Sequence, residues 1–388
     1  MVDFKKEIKL SDLMPKRRKP TASAGPKKPS RRAARPKKRE LVGLKIGSSQ
    51  LAAARVVNNG TANLVQLARS PLDRGIVVAG EVRDGAALAQ ALDTFFTENK
   101  LPRRGVRLGL ATNRIGVRAF DIDGIEDEKQ LANAIRFRAH EAVSIPIDQA
   151  VLDYHILSEE FDEAGGITRK VLLAAAYRES VDRYVEACQQ ASIDLYGIDL
   201  EAFALLRAVG PRDVPDALAT PSATVVVSVG HDRSTLAISD GSVCDFTRVL
   251  EWGGEKLENA IAFDLRVTPE EALELKLHAS LERVDVGLED AQARAVRDAI
   301  ERELQKLARE LVASLQFYQS QPGSLAISEI LVSGGTSRIA GFPEELERLT
   351  RVRVRRADPL AHVRAEGEAH VRDDLASLAV AIGLGVEA

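Results

Sequence analysis

The sequence of 388 residues has no run of about 18 consecutive apolar residues, so no transmembrane helix is expected. The N-terminus is basic but lacks an apolar core segment, which argues against a secretory signal. Cysteine is scarce. Cys188 and Cys244 lie in apolar-patterned segments, which suits buried thiols in a reducing compartment and not a disulfide framework. The six histidines (140, 155, 231, 278, 362, 370) show no paired metal spacing, so no zinc site is indicated. No Ser–His–Asp or Cys–His arrangement can be drawn. The basic N-terminal stretch holds no aromatic residue beyond Phe4 and so lacks a platform for stacking bases. No nucleic-acid partner is expected.

What is present is ordinary soluble-protein composition, 45% apolar and 29% charged, in a chain long enough for two lobes. The net charge of −3 conceals a division: residues 1–40 carry 15 Lys/Arg against 4 Asp/Glu, and the remainder is acidic. A basic tail on an acidic body favours anionic membrane or an acidic partner. Within it, Val2–Met14 fits a short amphipathic docking helix, and the Pro-, Ala-, Ser- and Lys/Arg-rich stretch to Arg39 cannot bury a core.

Strands are expected at 41–46, 51–57, 62–68 and 106–110, with a helix over 84–99. A separate α+β module follows at about 118–197, with a helix over 128–143 ended by Ile145-Pro146, strands at 151–156 and 170–175, and a helix over 180–191. Three prolines within 211–221 mark a connection. Residues 223–250 form a second sheet, and about 260–321 is helical. There Val296, Ile300, Leu304, Leu307, Leu311 and Leu315 make one stripe, suited to packing on its own lobe or to a coiled coil. A buried strand at 327–332, a helix over 342–350 and an apolar helix over 375–385 complete the chain. The boundaries are thus a tail to 40, a first lobe over 41–210, a connection over 211–222 and a second lobe over 223–388. Asp121 and Asp123 suit turn capping better than an acid–base pair, and Glu270, Glu271 and Glu274 a solvated helix face.

Three glycine turns follow three apolar strands: Gly47-Ser48-Ser49, Gly230-His231-Asp232 and Gly334-Gly335-Thr336-Ser337. The first two repeat one strand–turn–strand unit, LVGLKIGSSQLAAA and TVVVSVGHDRSTLAI. Glycine lets the backbone turn where a side chain would clash, and exposed N–H groups at such tips meet anions. Two tips from duplicated lobes suit phosphates, and the third turn lets a flat ring approach the backbone.

These motifs resemble the actin/Hsp70/sugar-kinase ATPase superfamily and, within it, the PilM family of type IV pilus assembly proteins, relatives of the division protein FtsA. The resemblance extends over SIPIDQAVLDYHIL (144–157), the segment 170–209, WGGEKL (252–257), TPEEALELK (268–276), ILVSGGTSRIAGF (330–342) and SLAVAIGLG (377–385). It implies a two-lobed actin-like (ribonuclease H-like) α/β fold with duplicated lobes and a small α+β subdomain inserted in the first. It implies ATP or ADP held by Gly47, Ser48 and Ser49 at the β- and γ-phosphates, by Gly230 and its neighbour His231 opposite, by Gly334, Gly335, Thr336 and Ser337 against adenosine, and by Lys276 near the ribose or base. It also implies a cytoplasmic adaptor at the inner membrane. A groove between insertion and first lobe would take the N-terminal peptide of a PilN-like inner-membrane protein, among other components of the pilus machine.

The chain departs from that family where a metal would bind. Asp is usual where Lys45 stands and common where Ser228 stands, and a usual Lys is replaced by Ala52. Mg²⁺ prefers carboxylate and phosphate oxygens, so losing both acids and gaining a cation argues against Mg²⁺ and against hydrolysis. Lys45 itself would either pair with phosphate or extend to solvent. The same fold also serves active magnesium-dependent ATPases or phosphotransferases and FtsA- or MreB-like filaments. The first alternative needs the acids this chain lacks.

Overall fold

The computed structural model describes residues 39–125, 127–161, 166–210, 221–241, 243–282, 290–365 and 375–387. The basic tail to residue 38, including Val2–Met14, and most of the 211–222 connection lie outside the described residues.

Strands β1 (Arg39–Ile46), β2 (Gln50–Asn58) and β3 (Ala62–Pro71) make an antiparallel meander. A small hairpin follows, β4 (Val77–Val78) with β5 (Glu81–Val82), then α1 (Gly85–Glu98) and β6 (Arg104–Leu110), which pairs parallel to β1. Next come β7 (Ile115–Asp123), α2 (Glu128–Ala142), β8 (Ala150–Phe161) and β9 (Ile167–Tyr177). Then α3 (Arg178–Gln190), β10 (Asp194–Leu200) and α4 (Glu201–Val209) return to the first sheet. The second lobe runs β11 (Ser222–Val229), β12 (Ser234–Ser239), β13 (Cys244–Leu250), α5 (Gly254–Leu265), α6 (Pro269–Leu277), α7 (Ala291–Gln319), β14 (Ala326–Ser333), α8 (Phe342–Thr350) and β15 (Val354–Arg356). Strand β16 (Arg364–Ala365) and helix α9 (Leu375–Gly385) then go back to the first lobe.

The two sheets are built alike. Their orders are β10-β6-β1-β2-β3-β16 and β13-β12-β11-β14-β15. In each, a three-stranded antiparallel meander is joined through its first strand to two parallel strands. This is the duplication that the repeated strand–turn–strand unit announces.

The inserted unit is the sheet β7-β9-β8 with α2 on one face. Strand alternation divides β9: Val171, Leu173 and Ala175 pack beneath α2, whereas Leu172, Ala174 and Ala176 join the first-lobe core. Helix α3 packs with the first-lobe core through Val181, Tyr184, Ala187 and Cys188, and β10 pairs with β6, so both follow the first lobe and not the three-stranded sheet. Strand β7 has no counterpart among the expected strands. It is an edge strand with Arg118 and Asp121 exposed, so its apolar alternation is weak.

Helix α7 buries the expected stripe against its own lobe. Helix α9 is apolar on every side and buried from Ser377 to Gly385, as such a helix must be. It is wedged among β1, β2 and α4, and close backbone approach there depends on glycine. A Cβ on Gly383 would lie 1.8 Å from the Ala204 carbonyl, and one on Gly43 2.1 Å from that of Ala381. The C-terminal carbonyls of α9 are met by donors from the first lobe: Arg107 reaches Leu384 and Val386, Arg207 reaches Gly383, and Asn58 reaches Gly385. Arg107 is 1% exposed, and burial, with the nearby Arg207 charge, lowers its pKa to about 10. Both cysteines are buried free thiols, and burial pushes Cys188 up to about 12. No helix among the described residues is long and apolar enough to cross a membrane.

Candidate functional site

Two of the glycine turns are hairpin tips with one geometry. Gly47 N–H donates to the Gln50 carbonyl at 2.9 Å, and Gly230 N–H donates to that of Arg233 at 3.0 Å. In the second lobe the candidate residues converge. The Gly230 carbonyl accepts from Gly254 N at 2.9 Å and from Thr336 Oγ1 at 3.4 Å. Gly334, at φ +92°, lies so close to β11 that a Cβ would fall 2.2 Å from the Val229 carbonyl. Ser337 Oγ donates to the Gly334 carbonyl at 2.8 Å, and Gly335 faces open space. In the first lobe, Ser48 Oγ is buried with no hydrogen-bond partner, and the Ser49 carbonyl accepts from Leu72 N.

The side chains differ from a metal–phosphate site. Lys45 is neither extended into solvent nor free for a phosphate: it is mostly buried, its Nζ lying 3.4 Å from Glu201 Oε2, with the two side chains 15% and 4% exposed. Lys276 pairs with Glu258, which also has His231 Nδ1 at 3.6 Å and Arg74 at 3.8 Å. Burial alone would raise the Glu258 pKa, but the neighbouring His231 ring and the Lys276 ammonium outweigh it and hold the carboxyl below its ordinary value. Asp232 accepts from Ala79 N at 2.9 Å and lies 3.7 Å from Arg233. Glu201, Glu258, Arg74 and Arg233 therefore belong to the site, and sequence reasoning missed all four. A carboxylate one turn inside the Gly253-Gly254 helix start was the available signal for Glu258. The backbone turns fit a nucleotide. Lys45 and Ser228 stand two residues before the two hairpin glycines, and the described residues hold no group of three or more His, Cys, Asp or Glu arranged for a metal.

The family model described as type IV pilus assembly protein PilM matches residues 43–388. The chain belongs to the PilM family. A solved PilM–PilN type IV pilus biogenesis complex superposes with TM-score 0.73 at 25% identity, covering 89% of this chain and 97% of that one. Cell division protein FtsA of Pseudomonas aeruginosa is 25% identical over 353 residues, 82% of this chain and 83% of that protein. MreB 5 of Spiroplasma citri bound to AMPPNP, at 13% identity and TM-score 0.53, shares the actin-like fold.

This PilM-family chain has a second concavity, a groove of about 1040 Å³. The resemblance led us to expect a groove between insertion and first lobe. This one lies between β7 of the insertion and β13 and α7 of the second lobe, with Thr112–Arg114 of the first lobe at one end. Its walls include Val117, Arg118, Tyr177, Phe246, Arg248 and Phe317. Both β7 and β13 are edge strands of their sheets. Phe246 and Phe317 meet as tilted rings with centroids 5.7 Å apart, and Arg114 covers the Tyr177 ring at 4.1 Å.

Proposed function

We propose that the chain is an adaptor of a type IV pilus assembly machine, on the cytoplasmic side of the inner membrane, and docks the N-terminal peptide of a PilN-like inner-membrane protein. The observation that carries this reading is the groove, whose two strand edges offer main-chain hydrogen bonds to an extended peptide while the aromatic walls take its apolar side chains. Family membership and the likeness to the PilM–PilN complex support it. Calorimetry with the N-terminal peptide of the PilN-like protein from the same genome tests it. Phe317→Asp, at a half-exposed position that leaves the core intact, weakens binding at least about tenfold, the effect of losing one aromatic anchor. Unchanged affinity would remove the groove from the proposal.

Under the same reading the interlobe cleft is an ATP or ADP site without hydrolysis. Gly47, Ser48 and Ser49 and Gly230 and His231 face the phosphates, Gly334, Gly335, Thr336 and Ser337 the adenosine, and Lys276 the ribose or base. Lys45 and Lys276 neutralise phosphate only after giving up Glu201 and Glu258. Lys45→Asp with Ser228→Asp places a new acid beside Glu201 and restores a divalent-cation preference. Calorimetry of ATP binding is then magnesium-dependent in the double variant and magnesium-independent in the parent. The basic tail would attach the adaptor to anionic membrane, and removing residues 1–38 abolishes salt-sensitive binding to phosphatidylserine vesicles.

A further inference from the structure

The hairpin β4–β5 has a two-residue tip, Ala79-Gly80, with both residues in the left-handed region at φ +51° and +76°. Glycine adopts this freely. Alanine does so at a cost of about 1 kcal/mol, and such strain persists where surrounding contacts over-determine it. Those contacts come from both lobes. Asp232 accepts the Ala79 N–H at 2.9 Å. Arg233, 8% exposed, lies against Gly80 so closely that a Cβ there would be 2.4 Å from Nη1 and 2.2 Å from the Ala111 carbonyl. On the first-lobe side, Tyr184 Oη donates to the Gly80 carbonyl at 3.0 Å. The segment leading to this tip starts at the first-lobe turn, where Leu72 N–H donates to the Ser49 carbonyl, and passes Arg74 beside Glu258. One stretch of the first lobe, Leu72 to Val82, thus runs from one glycine turn to the other.

Lys45 pairs with Glu201, and Lys276 and Arg74 share Glu258, while Arg233 lies 3.7 Å from Asp232 with its buried Nη1 making no hydrogen bond.

We propose that the Ala79-Gly80 tip, gripped by Asp232 and Arg233, is a latch that holds the two lobes closed without nucleotide. The latch involves neither the peptide groove nor its occupant, so it stands or falls apart from the adaptor reading. Hydrogen exchange on the full chain, with and without ATP and Mg²⁺, tests it at the Ala79 amide. That amide is protected in the ligand-free protein, and its rate changes less than about twofold on adding nucleotide. Asp232→Ala, which removes the acceptor, speeds its exchange at least about tenfold, with the β1 amides unchanged as the control for folding. Where Asp232→Ala also loosens β1, Asp232→Asn decides, because its carbonyl still accepts and the Ala79 amide stays protected. An Ala79 amide that exchanges like an open loop in the free protein, or gains its protection only with nucleotide, overturns the proposal.

Discussion

In the first lobe the glycine turn is backed by Lys45, which crosses to a carboxylate of its own lobe, Glu201. In the second, the position in register is Ser228, and the turn instead sends Asp232 and Arg233 outward to the first lobe. The two tips share a backbone hydrogen bond, a strand order and a partner strand in parallel. The duplication was therefore kept in the backbone and abandoned in the side chains. One copy has turned its charge inward to stabilise a lobe, and the other has turned it across the cleft.

The largest test of that contrast removes the inward charge. Lys45→Met leaves Glu201 buried and unpaired and lowers unfolding free energy by about 3 kcal/mol, the usual cost of breaking such a pair. Ser228→Ala, at the matching position of the other lobe, costs under about 1 kcal/mol. Urea denaturation of both variants measures the difference, and equal losses would mean that the two turns are not differently loaded. Next in size is the pair of glycines. A Cβ on Gly230 meets the Arg233 carbonyl at 2.7 Å, whereas one on Gly47 meets that of Gln50 at 3.2 Å. Gly230→Ala accordingly costs about 2 kcal/mol and Gly47→Ala under about 1 kcal/mol, because the first forces the larger backbone shift. The smallest effect is a pH dependence confined to the second lobe. Since Glu258 is held below its ordinary value of 4.5, the stability from its charged form is complete above about that pH and is lost as pH falls through the lower folded value. The melting-temperature gap between the parent and Glu258→Gln stays constant from neutral pH down to about 5 and narrows below about 4.5. A gap that persists undiminished into strong acid would show that Glu258 acts through shape and not charge.

Much of this was legible in the residues. Apolar strands ending in Gly47, Gly230 and Gly334 gave the sheet ends and their turns, because local periodicity and glycine placement are local properties. The anomaly of Lys45 was also visible. Its resolution was not: Glu201 opens a helix far along the chain, and nothing between the two residues signals that their side chains meet. The same holds for Asp232, which the sequence shows only as a polar turn residue and which accepts from a backbone amide of the other lobe. Edge strand β7 escaped notice because its exposed Arg118 and Asp121 interrupt the apolar pattern. Helix α3 and strand β10 follow β9 without a break in composition, and only packing and pairing show that α3 joins the first-lobe core and β10 the first sheet.

Helix α9 gives the first lobe a history as well as a shape. Its hydrogen bond from Asn58 to Gly385 spans 327 residues, and that from Arg107 to Leu384 spans 277. During synthesis the β1–β2 hairpin is made early, and the helix that covers it is made only after the second lobe. Until then Ala52, Ala54 and Val56 have no apolar partner from α9, so the first lobe is completed only after the second has been made. A fragment ending at Gly210 would expose that face to water, and the two lobes, alike as they are, cannot be made or exchanged as separate modules.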